Sequence, residues 1–355
     1  MKALVLSGGS GTRLRPFSYS MPKQLIPIAN KPVLEHVVED IRDLGVREVG
    51  IIVGDRADQI SEVIGDGSRL GVEVTYIHQD KPRGLAHCVS LARAFLGDDD
   101  FVMYLGDNML PDGVRDIAEE FRTVRPAAQV VVHKVPDPRA FGIAELDEEG
   151  KVVRLVEKPQ EPTSDLALVG VYFFTPAVHE AVASIRPSAR GELEITDAIQ
   201  WLLTQGHRVD AREYHGYWKD TGRAEDVLDC NRHLLGGLEP GIFGQVDAAS
   251  EVGPLVRVEA DAIVIASRIE GPAIVGAGTV IEGGHIGPNT SIGRDCTVRD
   301  SRIRDSIVLD GATITRVPGI HGSLIGRNAT VDAGDEAGAS HRLVVGDHTR
   351  IEVAA

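Results

Sequence analysis

Gly8, Gly9 and Gly11, followed by Arg13 and Lys23, lie in "LSGGSGTRLRP…PKQLIP", directly after the apolar run "KALVL". A glycine-rich turn at a strand end offers backbone N–H groups and lets a polyphosphate approach closely. Two cations beside it would neutralise charge as pyrophosphate departs. The turn is not a P-loop, because Gly11 is followed by Thr12-Arg13 rather than a Lys-Ser/Thr pair. Nor is it a dinucleotide fingerprint, whose third glycine would fall on Leu14. Asp107 in "YLGDN" follows an apolar strand, and Asp220 in "YWKDTG" sits in a glycine-bearing loop after an aromatic pair. Singly, each is an ordinary turn or cap residue. Beside the phosphate turn, two such carboxylates suit an octahedral Mg²⁺ site completed by phosphate oxygens and water. The Ser, His and Cys residues form no Ser-His-Asp or Cys-His constellation.

These residues need a scaffold, and the chain has two kinds of sequence to build one. The first two-thirds alternates short runs rich in Val, Ile, Tyr and Phe ("EVGIIVG", "VEVTYI", "FVMYLGD", "AQVVVHKV", "LVGVYFF") with segments of helical period such as "VLEHVVEDIRDLG" and "GLAHCVSLARAFLG". That alternation predicts an α/β fold: a Rossmann-like, mostly parallel sheet with helices on both faces. Ligands of such sheets bind beyond the carboxyl ends of the strands, where both "LSGG" and "LGDN" fall. From about Gly236 the helical period stops and glycine becomes frequent. Ile274, Val280, Ile286, Ile292 and Val298 recur every six positions, and after a phase break Val308 and Ile314 resume. A hexapeptide period predicts a parallel β-helix whose inward aliphatics stack coil upon coil. The boundary lies in "LLGGLEPGIFG", giving domains 1–236 and 237–355.

Composition narrows the partners. The 355 residues carry a net charge of −16, which argues against a nucleic-acid surface, so an anionic ligand must be held by a local cluster of cations. No run approaches the ~18 apolar residues of a membrane helix, and the start has no secretory leader pattern. Cys88, Cys230 and Cys296 are scattered and odd in number, with neither a disulfide framework nor zinc spacing. The expectation is a cytoplasmic protein with no membrane and no nucleic-acid partner.

The opening motif resembles that of the sugar-1-phosphate nucleotidylyltransferases. "GLAHC", "YLGDN", "FGIAELD", "EKP", "VGVYFF", "RGELEITD" and "WKDTG" follow in the order of one branch, the glucose-1-phosphate thymidylyltransferases, over roughly residues 1–235. The appended repeat half resembles the longer subgroup of that branch, found in sugar pathways of antibiotic and cell-surface biosynthesis. The resemblance implies a left-handed hand for the β-helix, Mg²⁺ as cofactor and a homo-oligomer. It implies that Leu6, Gly8, Gly9, Gly11 and Thr12 cradle the nucleotide, with Arg13 and Lys23 on its phosphates. Gln79 and Gly84 would read the base, beside Gln24, and Asp107 and Asp220 would hold the metal. Gly142, Glu157, Tyr172 and Trp218 would line the sugar pocket, and Lys158 and Arg190 would grip the sugar phosphate. Gln24 in "PKQL" favours the thymidylyl branch over the UDP-glucose enzymes, which read "PKEM". Two positions depart from the shorter enzymes: His87 stands in place of Gln, and Phe141 in place of Tyr.

The implied reaction joins dTTP and glucose 1-phosphate into dTDP-glucose and pyrophosphate. The sugar phosphate is already an anionic nucleophile, so in-line attack on the α-phosphorus needs no general base. Positioning and charge neutralisation do the work, with Arg13, Lys23 and Lys158 as the catalytic cations. UTP remains an alternative, since thymine and uracil share the edge that Gln79 would read. Two other classes stay open: acyl transfer by the β-helix half, with His285 or His321, and a regulatory nucleotide-sugar-binding protein. The retained Arg13, Lys23, Asp107 and Asp220 speak against the last.

Overall fold

In the computed structural model, which describes residues 1–9, 11–333 and 343–353, the chain divides into two compact units. Met1–Gly9 and Val33–Asp220 form the first, Ser10–Pro32 and Thr221–Ala355 the second.

The first unit is built on a nine-stranded sheet: β1 Lys2–Leu6, β2 Glu48–Val53, β3 Glu73–His78, β4 Phe101–Leu105, β5 Ala128–Lys134, β6 Gly142–Leu146, β7 Val152–Glu157, β8 Leu166–Phe174 and β9 Val209–Glu213. The order is β7-β6-β8-β4-β1-β2-β3, with β5 also paired to β8 and β9 to β5. The strands β3, β2, β1 and β4 run parallel. β8 runs antiparallel to β4, β5 and β6, so the whole sheet is mixed. β1 and β2 are buried on both faces beyond their first residue, which is why they read as unbroken apolar runs and why helices must cover them. The stretch "GLAHCVSLARAFLG" breaks at Ala92 into Leu85–Leu91 and Arg93–Leu96.

The register fixes where the loops emerge. Leu6 pairs with Ile52 and Leu105, and Ile52 with Ile77. Gly8, Gln79 and Asp107 therefore each lie two residues past one carboxyl edge. Gly106 ties two of these loops together: its N–H donates to the Leu6 carbonyl at 3.0 Å.

Among the described residues the second unit contains three parallel sheets of seven, seven and five short strands, an arrangement consistent with a left-handed β-helix. Aliphatic side chains stack along its interior, as Val258, Val275, Ile292, Val308 and Ile325 do from coil to coil. Ile286, Ile292, Val298, Val308 and Ile314 occupy this core as the period requires. Ile274 and Val280 do not: Val275 and Ile281 point inward in their place. The coils advance by 16 or 17 residues in that stack rather than 18, so a strict six-residue count slips by one. Corners turn through left-handed backbone at Asp261, Asn289, Asp295, Asp300, Asp305 and Asn328, the residue types that tolerate it.

The same unit includes three single turns, Thr12–Leu14, Phe17–Tyr19 and Lys23–Leu25, and a hairpin pairing Pro27–Ile28 with Lys31–Pro32. The hairpin turns at Ala29 and Asn30, both with positive φ. Asn30 Nδ2 donates to the Ile292 carbonyl at 2.7 Å, laying the hairpin on the β-helix. Among the described residues no helix is long and apolar enough to cross a membrane.

Candidate active site

At the turn after β1, Leu6 and Ser7 are buried and Gly8 presses on Gln79: a Cβ on Gly8 would stand 2.9 Å from Gln79 Oε1. Gln79 is buried, and its backbone N–H donates to the Val53 carbonyl at 2.8 Å. Gly84 precedes the helix Leu85–Leu91 with φ +100°, and a Cβ there would run into the backbone of Leu193. Only glycine meets both demands. The Leu193 backbone is bonded on both sides of Gly84, donating to the Arg83 carbonyl at 2.8 Å and accepting from the Ala86 N–H at 3.1 Å. "PRGLA" and "GELEITD" are thus laced together, 110 residues apart.

The two aspartates meet through a short ladder. Lys219–Asp220 pairs antiparallel with Asn108–Met109, placing Asp220 opposite Asn108, next to Asp107. The Asn108 amide is buried and spent on both sides: Nδ2 donates to Asp107 Oδ1 at 3.2 Å, and Oδ1 accepts from Trp218 Nε1 at 2.8 Å. Trp218 in turn meets Phe141 edge-on at 5.2 Å and His133 at 5.7 Å. Among the described residues no group of three His, Cys, Asp or Glu could hold a metal alone. Two carboxylates on adjoining strand ends are a set that suits a hard cation whose other ligands are phosphate and water.

Across the sheet, β6 and β7 carry the sugar-phosphate candidates. Glu157 ends β7, paired with Gly142 at the start of β6. Its Oε1 lies 3.2 Å from Arg190 Nη1 and 3.4 Å from Lys158 Nζ. A Cβ on Gly142 would stand 3.0 Å from Glu157 Oε2, so that glycine leaves room for the carboxylate. Lys158 has φ +43°, an uncommon conformation for a side-chain-bearing residue, and its N–H donates to the Phe141 carbonyl at 3.0 Å. Arg190 is also braced by Glu194 at 3.3 Å, whose carboxylate accepts from Ser188 Oγ at 2.9 Å. Burial raises the Glu194 and Asp197 carboxyls above their ordinary range, and the nearby Glu157 charge adds to both. Tyr172 is buried, its ring stacked on Phe174 at 6.1 Å. Its hydroxyl is pushed up by burial and then by the Glu157 charge.

Gly11, Thr12, Arg13, Lys23 and Gln24 belong to the second unit. Gly11 has φ +60° and opens the turn Thr12–Leu14; a Cβ there would stand 3.3 Å from Lys23 Cβ, so the glycine lets the two turns approach. Arg13 is exposed. Gln24 is buried, and its Oε1 has no hydrogen-bond partner among the described residues.

A family model described as nucleotidyl transferase matches residues 2–236. The chain belongs to the nucleotidyl transferase family. It is 53% identical over 355 residues to a glucose-1-phosphate thymidylyltransferase of Streptomyces griseus, covering 100% of both chains. A protein of the same description from Streptomyces antibioticus is 52% identical over 354 residues, covering 99% of each. A Bacillus anthracis protein assigned as a glucose-1-phosphate thymidylyltransferase, solved in complex with sucrose, is 35% identical with a TM-score of 0.63. That match covers 68% of this chain and 97% of the other. In this nucleotidyl transferase the polar supports are what sequence reasoning missed. Asn108, Glu194 and Thr196 sit inside the quoted motifs, yet neither period nor composition marks them as the residues that brace Asp107, Arg190 and Glu157.

Proposed function

We propose that this chain transfers a thymidylyl group from dTTP to α-D-glucose 1-phosphate, releasing pyrophosphate. The observation that carries the reading is the Asp107–Asn108/Asp220 ladder at the carboxyl edge of the parallel strands, within a chain matched end to end by thymidylyltransferases. Leu6, Gly8, Gly9, Gly11 and Thr12 form the nucleotide cradle, and Gln79, Gly84 and Gln24 surround the base. Gly142, Glu157, Tyr172 and Trp218 shape the sugar side. Arg190 and Lys158, both held by Glu157 at 3.2 and 3.4 Å, receive the sugar phosphate. That pairing keeps two cations in place before substrate arrives and exchanges one carboxylate partner for the incoming anion.

The anionic sugar phosphate attacks the α-phosphorus, and pyrophosphate leaves on the opposite side. Arg13 and Lys23 neutralise the triphosphate, lowering the cost of the charge that develops on the leaving group. Asp107 and Asp220 would hold Mg²⁺, which when bound supplies further charge neutralisation on phosphate oxygens. We assign residues 1–236 to the catalytic domain and 237–355 to the β-helix domain, in a cytoplasmic homo-oligomer. UTP is the second candidate nucleotide, because uracil offers the same edge as thymine.

Pyrophosphate release measured with glucose 1-phosphate, Mg²⁺ and each nucleoside triphosphate separately tests the reading. Release is expected with dTTP. Silence with both dTTP and UTP would overturn it.

A further inference from the structure

Gln79 has two N–H donors and one carbonyl acceptor, and an unrestrained amide can present either to a ligand. Here the donors are committed. Nε2 lies 3.1 Å from His87 Nδ1 and donates to Cys88 Sγ at 3.2 Å. The Cys88 thiol in turn donates to the Gly84 carbonyl at 3.7 Å. This last contact sets the direction of the chain, because a sulfur whose hydrogen points at Gly84 faces Gln79 as an acceptor. The facing His87 Nδ1 must then be the unprotonated ring nitrogen. Burial, reinforced by Arg83, keeps the His87 pKa below its ordinary value, which favours the neutral ring. Burial pushes the Cys88 thiol up to about 12, so it keeps its hydrogen. The one polar atom left is Oε1, turned toward the Gly8 turn.

We propose that His87 and Cys88 are positioning residues that pin the Gln79 amide, so that the nucleobase meets an acceptor and never a donor. A base with N–H at that edge, as N3–H of thymine or uracil, is then selected. Cytosine, whose N3 is itself an acceptor, would set two buried acceptors face to face and is rejected. The inference rests on the reading that Gln79 faces the base. It gives a role to His87, one of the two positions that depart from the shorter relatives.

The test compares wild type with His87→Leu, His87→Asn and Cys88→Ala, using dTTP and dCTP with saturating glucose 1-phosphate. His87→Leu removes one acceptor and frees the amide to turn. Its KM for dTTP should rise about tenfold, kcat should change far less, and the dTTP/dCTP preference in kcat/KM should fall by about tenfold or more. His87→Asn keeps an acceptor oxygen near the Nδ1 position and should restore both quantities toward wild type. Cys88→Ala, which removes only the other acceptor, should shift the preference in the same direction and serves where His87→Leu does not fold. A wild type that prefers dTTP, with all three variants equally selective, overturns the clamp and leaves the thymidylyltransferase reading standing. A wild type with no preference between dTTP and dCTP overturns both.

Discussion

Asp220 faces Asn108 across a two-residue antiparallel ladder, and Asn108 is bonded through its own side chain to Asp107. Two carboxylates separated by more than a hundred residues are thereby tied to one strand pair, one by register and one by an amide. The same amide holds Trp218, so the metal candidates and the aromatic wall share a single buried support.

Asp107→Asn and Asp220→Asn should each lower kcat by at least about a hundredfold, the scale expected when a group acting on developing charge is removed. Both are isosteric and lie at strand ends, so circular dichroism and melting should be unchanged. Dialysis against a chelator should silence the wild type, and added Mg²⁺ should restore it. An Asp107→Asn enzyme that turns over normally would remove the metal assignment.

Lys158 separates charge from strain. Its positive φ is uncomfortable for any residue with a Cβ, whereas glycine adopts it freely. Lys158→Ala and Lys158→Gly both delete the ammonium, and kcat/KM for glucose 1-phosphate should fall by about tenfold to a hundredfold in each. The glycine variant should be more stable than the alanine variant by about 1 kcal/mol in denaturant unfolding. Equal stabilities would mean that the backbone relaxes elsewhere and that Lys158 carries no strain.

Gly84→Ala places a methyl into the Leu193 backbone at φ +100°. Backbone cannot swing aside as a side chain can, so the lacing of 83–86 to 193 must open. A loss of about 2–4 kcal/mol in stability and a large rise in KM for dTTP are expected. Gly45→Ala, where φ is +81° and nothing lies within 4 Å, is the control that reports the φ penalty alone. If the two variants lose the same stability, the Leu193 contact is not what fixes Gly84.

The elements that read clearly in the sequence are those whose burial is uniform. β1, β2 and β4 show as apolar runs because both faces are covered, and the turn after β1 shows because its glycines are clustered. The strands β6, β7 and β9 show no apolar run because each mixes buried with polar residues, as Val152–Glu157 does. The β-helix was legible from its period, but the inward positions 275 and 281 were not, since a 17-residue coil drifts against a count of six. In the site, the charged residues stood out by type. Their supports did not: Asn108 meets Trp218 and Thr196 meets Glu157 only through contacts between distant segments, which no local pattern marks. Least legible was the allegiance of residues 10–32, which packing assigns to the unit of the β-helix although the sequence reads them as part of the α/β half.

That allegiance predicts a catalytic role for the β-helix that needs no chemistry of its own. Asn231, fully buried in the helix Ala224–Gly236, joins three segments with one amide. Its Oδ1 accepts from the Ala29 N–H at 2.9 Å and from Ser291 Oγ at 2.7 Å, and its Nδ2 donates to the Asn289 carbonyl at 3.2 Å. Asn231→Leu strands those buried partners and should cost about 3 kcal/mol. The segment released carries Arg13 and Lys23, so KM for dTTP should rise well before KM for glucose 1-phosphate. Removal of residues 237–355 should exaggerate the same pattern, because Ile292, Ser291 and Asn289 all leave with them. Kinetics in both substrates alongside denaturant unfolding decide the matter. A destabilised Asn231→Leu protein with an unaltered KM for dTTP would show that the β-helix steadies the chain without ordering the segment of Arg13 and Lys23.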